Sequence, residues 1–283
     1  KKTGINNRYI SNLNETALDL AFKATNKISK DKLKDIDNLI YVTQSPEYSL
    51  PTTACILQQK MKLNNKISCF DINQGCSGFV YALAVGSSMI SSGISKKTLI
   101  VCSDTYTKYI SKKDRTNRPI FSDGASTVLL KKSKNLFSNK FQFETYGESY
   151  KELIVENSGS RFSAAKGSQE LYMNGSNVLL FTLSKVPIFV EKFLKSNKIS
   201  INDIDKFIFH QASEVVLESL RYKLGIPKEK MPTNYQVYGN TVSSTIPILI
   251  KDLFLQKKIK NNETALLVGF GVGLSIGIGL VKF

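Results

Sequence analysis

Asp35-Ile-Asp-Asn-Leu-Ile-Tyr-Val-Thr-Gln44 and Asp203-Ile-Asp-Lys-Phe-Ile-Phe-His-Gln-Ala212 are two copies of one pattern, an acidic turn running into an apolar strand. An amphipathic helical stretch precedes each copy, Glu15 to Ile28 and Asn177 to Ser196, and a second follows, Thr52 to Lys62 and Glu214 to Leu224. A short extended segment, a glycine and a further helix come next in both halves, with Gly75-Cys-Ser77 opening one and Gly239-Asn-Thr241 the other. Cys76 and Asn240 are therefore counterparts. Apolar strands close each half: Thr98 to Cys102 and Ala125 to Leu130 in the first, Ala265 to Val268 and Ser275 to Val281 in the second. Alternating strands and helices in duplicate predict an α/β fold of two halves, 1–140 and 141–283, related by a pseudo-twofold axis.

The repeat is uneven at its start. Phe141-Gln-Phe-Glu-Thr-Tyr146 alternates like a strand ahead of the second half's first helix, whereas only residues 1–14 precede the corresponding helix of the first half. The expectation is that a first N-terminal strand is missing from this chain, leaving an exposed sheet edge.

Composition narrows the functional classes. With 283 residues and 42% apolar content, the chain can bury one large core or two coupled ones. The four cysteines form no CxxC pair, and His210 is the single histidine, so the pattern predicts free thiols and no metal site. A net charge of +16, mostly lysine, fits a solvated basic surface or attraction of an acidic partner. No aromatic-and-basic signature points to nucleic acid. The opening from Lys1 to Ser11 is polar and lacks a signal-peptide pattern, and a cytoplasmic location is expected. Uncharged Ala265 to Val281 is interrupted by glycines and alternates in strand fashion, so it reads as strand, turn and strand and not as a membrane span.

Cys76 follows the strand and turn of Asp71-Ile-Asn-Gln-Gly75, and the pattern predicts it in the first turn of the next helix. There the helix dipole, contributing up to ~2 kcal/mol to an anion, lowers a thiol pKa. That alone makes a weak nucleophile, so partners are needed. His210 ends a strand, where α/β sites usually lie, and Asn240 is the repeat counterpart of the cysteine. One sulfur and two side chains able to donate hydrogen bonds suit acyl transfer through a thioester whose oxygen gains charge. Cys55, Cys69 and Cys102 lie in apolar elements without such neighbours and read as small core residues. Gly269-Phe-Gly-Val-Gly273 offers backbone amides but lacks the continuation of a phosphate loop.

These residues carry a family signature. Thr3-Gly-Ile5, Leu50-Pro-Thr-Thr-Ala-Cys55, Gly75-Cys-Ser-Gly-Phe79, Phe121-Ser-Asp-Gly-Ala125, His210-Gln-Ala212, Gly239-Asn-Thr241 and Gly269-Phe-Gly271 stand in the order and spacing of β-ketoacyl-acyl-carrier-protein synthase III. The chain resembles that family, part of the thiolase superfamily. The resemblance implies a thiolase-like five-layered αβαβα fold, a homodimer, and a catalytic trio of Cys76, His210 and Asn240. It implies acyl transfer from acyl-CoA to Cys76, then decarboxylating condensation with malonyl-acyl carrier protein to a 3-oxoacyl thioester. CoA would enter as substrate, with no resident cofactor. The amides of Cys76 and Val272 would form the oxyanion hole, at roughly 3 to 4 kcal/mol per donor.

Arg115 matches an arginine that stacks on adenine, and Leu50 stands where the dimer partner's phenylalanine meets the acyl pocket. The chain departs from the family where His210-Gln-Ala-Ser-Glu-Val215 lacks a docking arginine, for which Arg221 and Lys223 are substitutes. Two other outcomes share the fold: transfer of the Cys76 acyl group to an alcohol or amine, and a non-catalytic scaffold subunit.

Overall fold

The computed structural model describes residues 3–132, 140–167 and 169–283. Lys1 and Lys2 of the polar opening lie outside the described residues, as does the segment 133–139 that leads to the expected division at 140/141. In chain order the strands are β1 Asn38–Val42, β2 Ser68–Ile72, β3 Lys97–Asp104, β4 Gly124–Lys131, β5 Lys140–Thr145, β6 Leu153–Ile154, β7 Tyr172–Met173, β8 Lys206–Phe209, β9 Thr264–Gly271 and β10 Ser275–Lys282. The helices are α1 Ala17–Thr25, α2 Lys30–Leu33, α3 Thr53–Lys60, α4 Gly78–Ser91, α5 Gly175–Ser196, α6 Glu214–Lys223, α7 Tyr235–Tyr238 and α8 Thr245–Leu255.

Two four-stranded sheets result, ordered β2-β1-β3-β4 and β5-β10-β9-β8, with β6 and β7 as a small separate ribbon. β1 pairs in parallel with β2 and β3, while β4 returns antiparallel on β3. The second sheet repeats this core, β8 parallel to β9 and β10 antiparallel to it.

Side-chain alternation sorts the strands into layers. Leu39, Tyr41, Leu99 and Val101 point to one face of the first sheet, where α1 and α3 cover them with Leu18, Ala21, Ala54 and Leu57. Ile40, Val42, Ile100 and Cys102 point the other way, onto Phe79 and Val80 of α4 and Ile246 and Leu249 of α8. The same two helices meet Ile208, Ala265 and Leu267 of the second sheet. Phe207, Phe209, Leu266 and Val268 face outward again, beneath Phe189, Val190 and Phe193 of α5 and Leu217 and Leu220 of α6. The order is helix, sheet, helix, sheet, helix, and each large apolar side chain taken from water contributes ~1.5–3 kcal/mol. All of β1 is buried, as a strand covered on both faces must be.

The halves differ at their edges. β5 pairs with the outer side of β10, whereas among the described residues no strand pairs with the outer side of β4, whose Gly124 to Leu130 are half-buried. The extended segment expected after α6 joins no sheet, so β8 is an edge where β1 is not. Pro232 lacks the amide proton a ladder needs, and the Asn234 amide goes instead to Gln211 Oε1 at 2.9 Å. The glycine-rich stretch 265–281 forms β9, a turn and β10, and among the described residues no helix is long and apolar enough to cross a membrane.

Candidate active site

Cys76, His210 and Asn240 line one cavity of about 190 Å³, bounded also by Phe121, Met173 and Phe270. The sulfur comes from the first half, and the imidazole and carboxamide come from the second.

Cys76 lies just ahead of α4 and not in its first turn, because Gly75 to Gly78 closes a turn of its own with the Gly78 amide donating to Gly75 O at 2.8 Å. The side chain is 6% exposed. Burial, with the nearby Asp104 carboxylate adding to it, pushes the Cys76 thiol well up, overriding the lowering expected from the helix dipole. The Cys76 side chain is therefore a neutral thiol. Gly271 lies against it: a Cβ there would stand 3.1 Å from Cys76 Sγ and 2.9 Å from its Cβ, so only glycine lets β9 end beside the sulfur.

His210 follows β8, and its amide donates to Val268 O at 2.8 Å, continuing the ladder by one residue. Burial lowers its pKa to about 3, so the ring is neutral at physiological pH. Nδ1 is 2.7 Å from Thr245 Oγ1, which leaves Nε2 as the nitrogen facing the cavity. The Thr245 hydroxyl has one proton and two acceptors in reach, Nδ1 and Val242 O, the latter at 3.1 Å. Given to Nδ1, it leaves the ring proton on Nε2; given to Val242 O, it puts the ring proton on Nδ1.

Asn240 does not open a helix as its repeat counterpart predicts. A single 3₁₀ turn, Val242–Ser244, separates it from α8. Its backbone forms an isolated bridge to the first half, its amide donating to Ile120 O at 3.0 Å and its carbonyl accepting from the Ser122 amide at 2.8 Å. Asn240 Oδ1 accepts from the Val242 amide at 2.9 Å. A backbone amide only donates, so the carboxamide orientation is fixed and Nδ2 is left to serve the cavity.

None of the other candidates lines the cavity, although Val272 directly follows Gly271. Val272 packs over Gly75, where an added Cβ would meet Val272 Cγ1 at 2.6 Å. Arg115 borders a second, open cavity of about 650 Å³ with Arg8, Lys112 and Arg118. Leu50 is 82% exposed and no part of it reaches the cavity within one chain. Arg221 is held by Glu218 at 2.8 Å, and Lys223 Nζ donates to Leu183 O at 3.0 Å. Of the three cysteines expected in the core, only Cys102, in β3, is buried; Cys69 is half-buried and Cys55 is exposed. Among the described residues no group of three or more His, Cys, Asp or Glu is placed to hold a metal ion.

Sequence reading passed over Thr245 and Asp104, and took Gly271 only as part of the glycine loop 269–273. Thr245 carries no signal of its own, whereas Asp104 is a carboxylate at the end of a strand whose stretch Leu99 to Cys102 is unbroken apolar, and that contrast is legible.

The family model of 3-oxoacyl-acyl-carrier-protein (ACP) synthase III matches residues 70–147, and the model of its C-terminal part matches residues 194–283. A beta-ketoacyl-acyl-carrier-protein synthase III of Clostridium perfringens is 36% identical over 99% of this chain and 89% of that protein. One of Streptococcus sanguinis is also 36% identical, over 99% of this chain and 88% of that protein. A crystal structure of 3-oxoacyl-(acyl-carrier-protein) synthase III superposes with a TM-score of 0.97 at 34% identity, covering 100% of this chain and 89% of that one. With that identity along almost its whole length, and with the layered fold and the shared cavity described above, the chain belongs to the β-ketoacyl-acyl-carrier-protein synthase III family.

Proposed function

We propose that this protein is a condensing acyltransferase that joins an acyl group from acyl-CoA to a malonyl unit on acyl carrier protein, giving a 3-oxoacyl thioester. The observation that carries the reading is the shared cavity, to which the half 1–140 brings Cys76 and the half 141–283 brings His210 and Asn240.

In the first step Cys76 Sγ bonds the acyl carbon and loses its proton, while the CoA sulfur departs and takes one up. The buried site so remains uncharged, in keeping with a thiol that burial holds neutral. The amides of Cys76 and Val272 hold the acyl oxygen. In the second step the malonyl carbon–carboxylate bond breaks, carbon dioxide leaves, and the electron pair becomes an enolate. Asn240 Nδ2 and His210 Nε2–H donate to the enolate oxygen, and the enolate carbon attacks the acyl-cysteine and expels the sulfur as a thiolate, which takes up a proton from water to return to the neutral thiol. This role needs the tautomer in which Thr245 donates to Nδ1.

CoA is a substrate and no resident cofactor takes part. The basic cavity at Arg115 would hold the CoA nucleotide, and Leu50, exposed in the single chain, would reach the acyl pocket of a second copy in a cytoplasmic homodimer.

Intact-protein mass spectrometry after mixing with acyl-CoA and acyl-carrier thioesters tests the reading. An adduct on Cys76 that malonyl thioester releases as a longer ketoacyl product is the expected result. No adduct would overturn it, and an adduct that persists until an amine or alcohol is supplied would replace it with transfer to that acceptor.

A further inference from the structure

Asp104 ends β3 between the two halves with no exposure to solvent, and neither step above uses it. Its Oδ1 accepts from the Gln44 amide at 2.8 Å and lies 3.5 Å from Thr43 Oγ1. Its Oδ2 accepts from Ser243 Oγ at 2.6 Å and lies 3.4 Å from the Ser243 amide. Among the described residues no lysine, arginine or histidine bonds to it, and a carboxylate so buried costs stability that an apolar side chain would not.

Ser243 belongs to the short segment that governs both donors. Asn240 is oriented by the Val242 amide, and His210 by Thr245 Oγ1. Between them Val242 is buried at φ +54°, a conformation that a β-branched residue adopts only when its surroundings force it. Residue 243 is where the first half grips this strained turn, with Ser244 Oγ adding a bond to Cys102 O at 2.8 Å. Asp104 does not act by activating the sulfur, because its charge opposes a thiolate at Cys76.

We propose that Asp104 is a positioning residue whose carboxylate, through Ser243, clamps the segment 240–245 so that Asn240 and His210 present their donors to the cavity together. The proposal rests on the condensing reading and assigns that chemistry a dependence on β3 of the opposite half.

Ser243→Ala removes the shortest bond of the clamp and leaves Gln44 in place; Asp104→Asn is its companion. The expected result for Ser243→Ala is acyl loading of Cys76 within about twofold of wild type. Malonyl decarboxylation should show kcat reduced roughly tenfold to a hundredfold and KM unchanged. The two substitutions combined should do no more than Asp104→Asn alone. Equal loss of loading and decarboxylation in Ser243→Ala, or no loss of either, would overturn the clamp. If the wild type itself releases no carbon dioxide, the condensing reading fails and a crystal structure of Ser243→Ala decides the clamp. A negative φ at Val242 with the Asn240 carboxamide turned from the cavity would support it, and an unchanged segment would overturn it.

Discussion

His210 is the one histidine in the chain, so a single imidazole signal reports the state of the site. Its pKa is lowered by burial from 6.5 to about 3. The sign follows: the neutral ring's contribution to stability is fully present above pH 6.5 and is lost as pH falls from there toward 3. By pH 5 this one group costs about 2 kcal/mol. Nitrogen-15 NMR of the folded protein is expected to show no imidazole protonation between pH 5 and 8 and a proton resident on Nε2; an inflection near 6.5 would contradict the buried geometry. Asp104 runs the other way, raised by burial from 3.8 to about 7, so its contribution is present below pH 3.8 and lost as pH rises through 7. Its neighbours Cys76, Cys102, Tyr41, Tyr106 and Tyr109 are all pushed upward by burial and stay neutral across that range. Urea unfolding of Asp104→Asn and wild type should therefore differ by about 2–3 kcal/mol more in the variant's favour at pH 8 than at pH 5. A difference independent of pH would mean that the carboxylate is solvated.

Elements are held in place by two glycines beside the site. Gly239 has φ +67° and ψ −164°, a region essentially confined to glycine, and a Cβ there would lie 2.6 Å from Ser122 Oγ and 3.2 Å from Ile120 O. Gly239→Ala is expected to destabilise by about 1–3 kcal/mol in denaturant unfolding and to displace Asn240 from its bridge. Gly271→Ala should fold but lose acylation of Cys76 by roughly a hundredfold in the mass assay, since the methyl occupies the sulfur's approach. Near-normal loading in Gly271→Ala would show that β9 can retreat. At this scale most of the fold was legible, because strands buried on both faces read as apolar runs and helices such as Asn177 to Ser196 as amphipathic ones. The two helix starts were not. Cys76 sits in a turn closed by the Gly78 amide on Gly75 O, and Asn240 in one whose backbone is bonded by Ile120 and Ser122 of the opposite half, contacts that no local pattern at Asn240 encodes. The absent ladder partner of β8 was written locally, in Pro232.

For the whole molecule, duplication gave the two halves, while the middle layer that both sheets share follows from α4 and α8 being apolar toward each of them. Leu50 is 82% exposed in the single chain, so the place at the acyl pocket proposed for it depends on a second copy. The net charge of +16 favours an acidic carrier protein as donor of the malonyl unit. Raising salt from ~0.1 M to ~1 M shortens the screening length from about 10 Å to about 3 Å. KM for malonyl-carrier protein should then rise several-fold, and that for an uncharged pantetheine thioester should not; parallel changes would remove the electrostatic contribution. Division of labour between the halves is tested by one paired measurement on Asn240→Ala, acyl loading of Cys76 against carbon dioxide release from malonyl thioester. Loading within about twofold of wild type, with decarboxylation lower by roughly a hundredfold or more, is the expected result. Equal loss of both steps would contradict the assignment of Asn240 to the enolate.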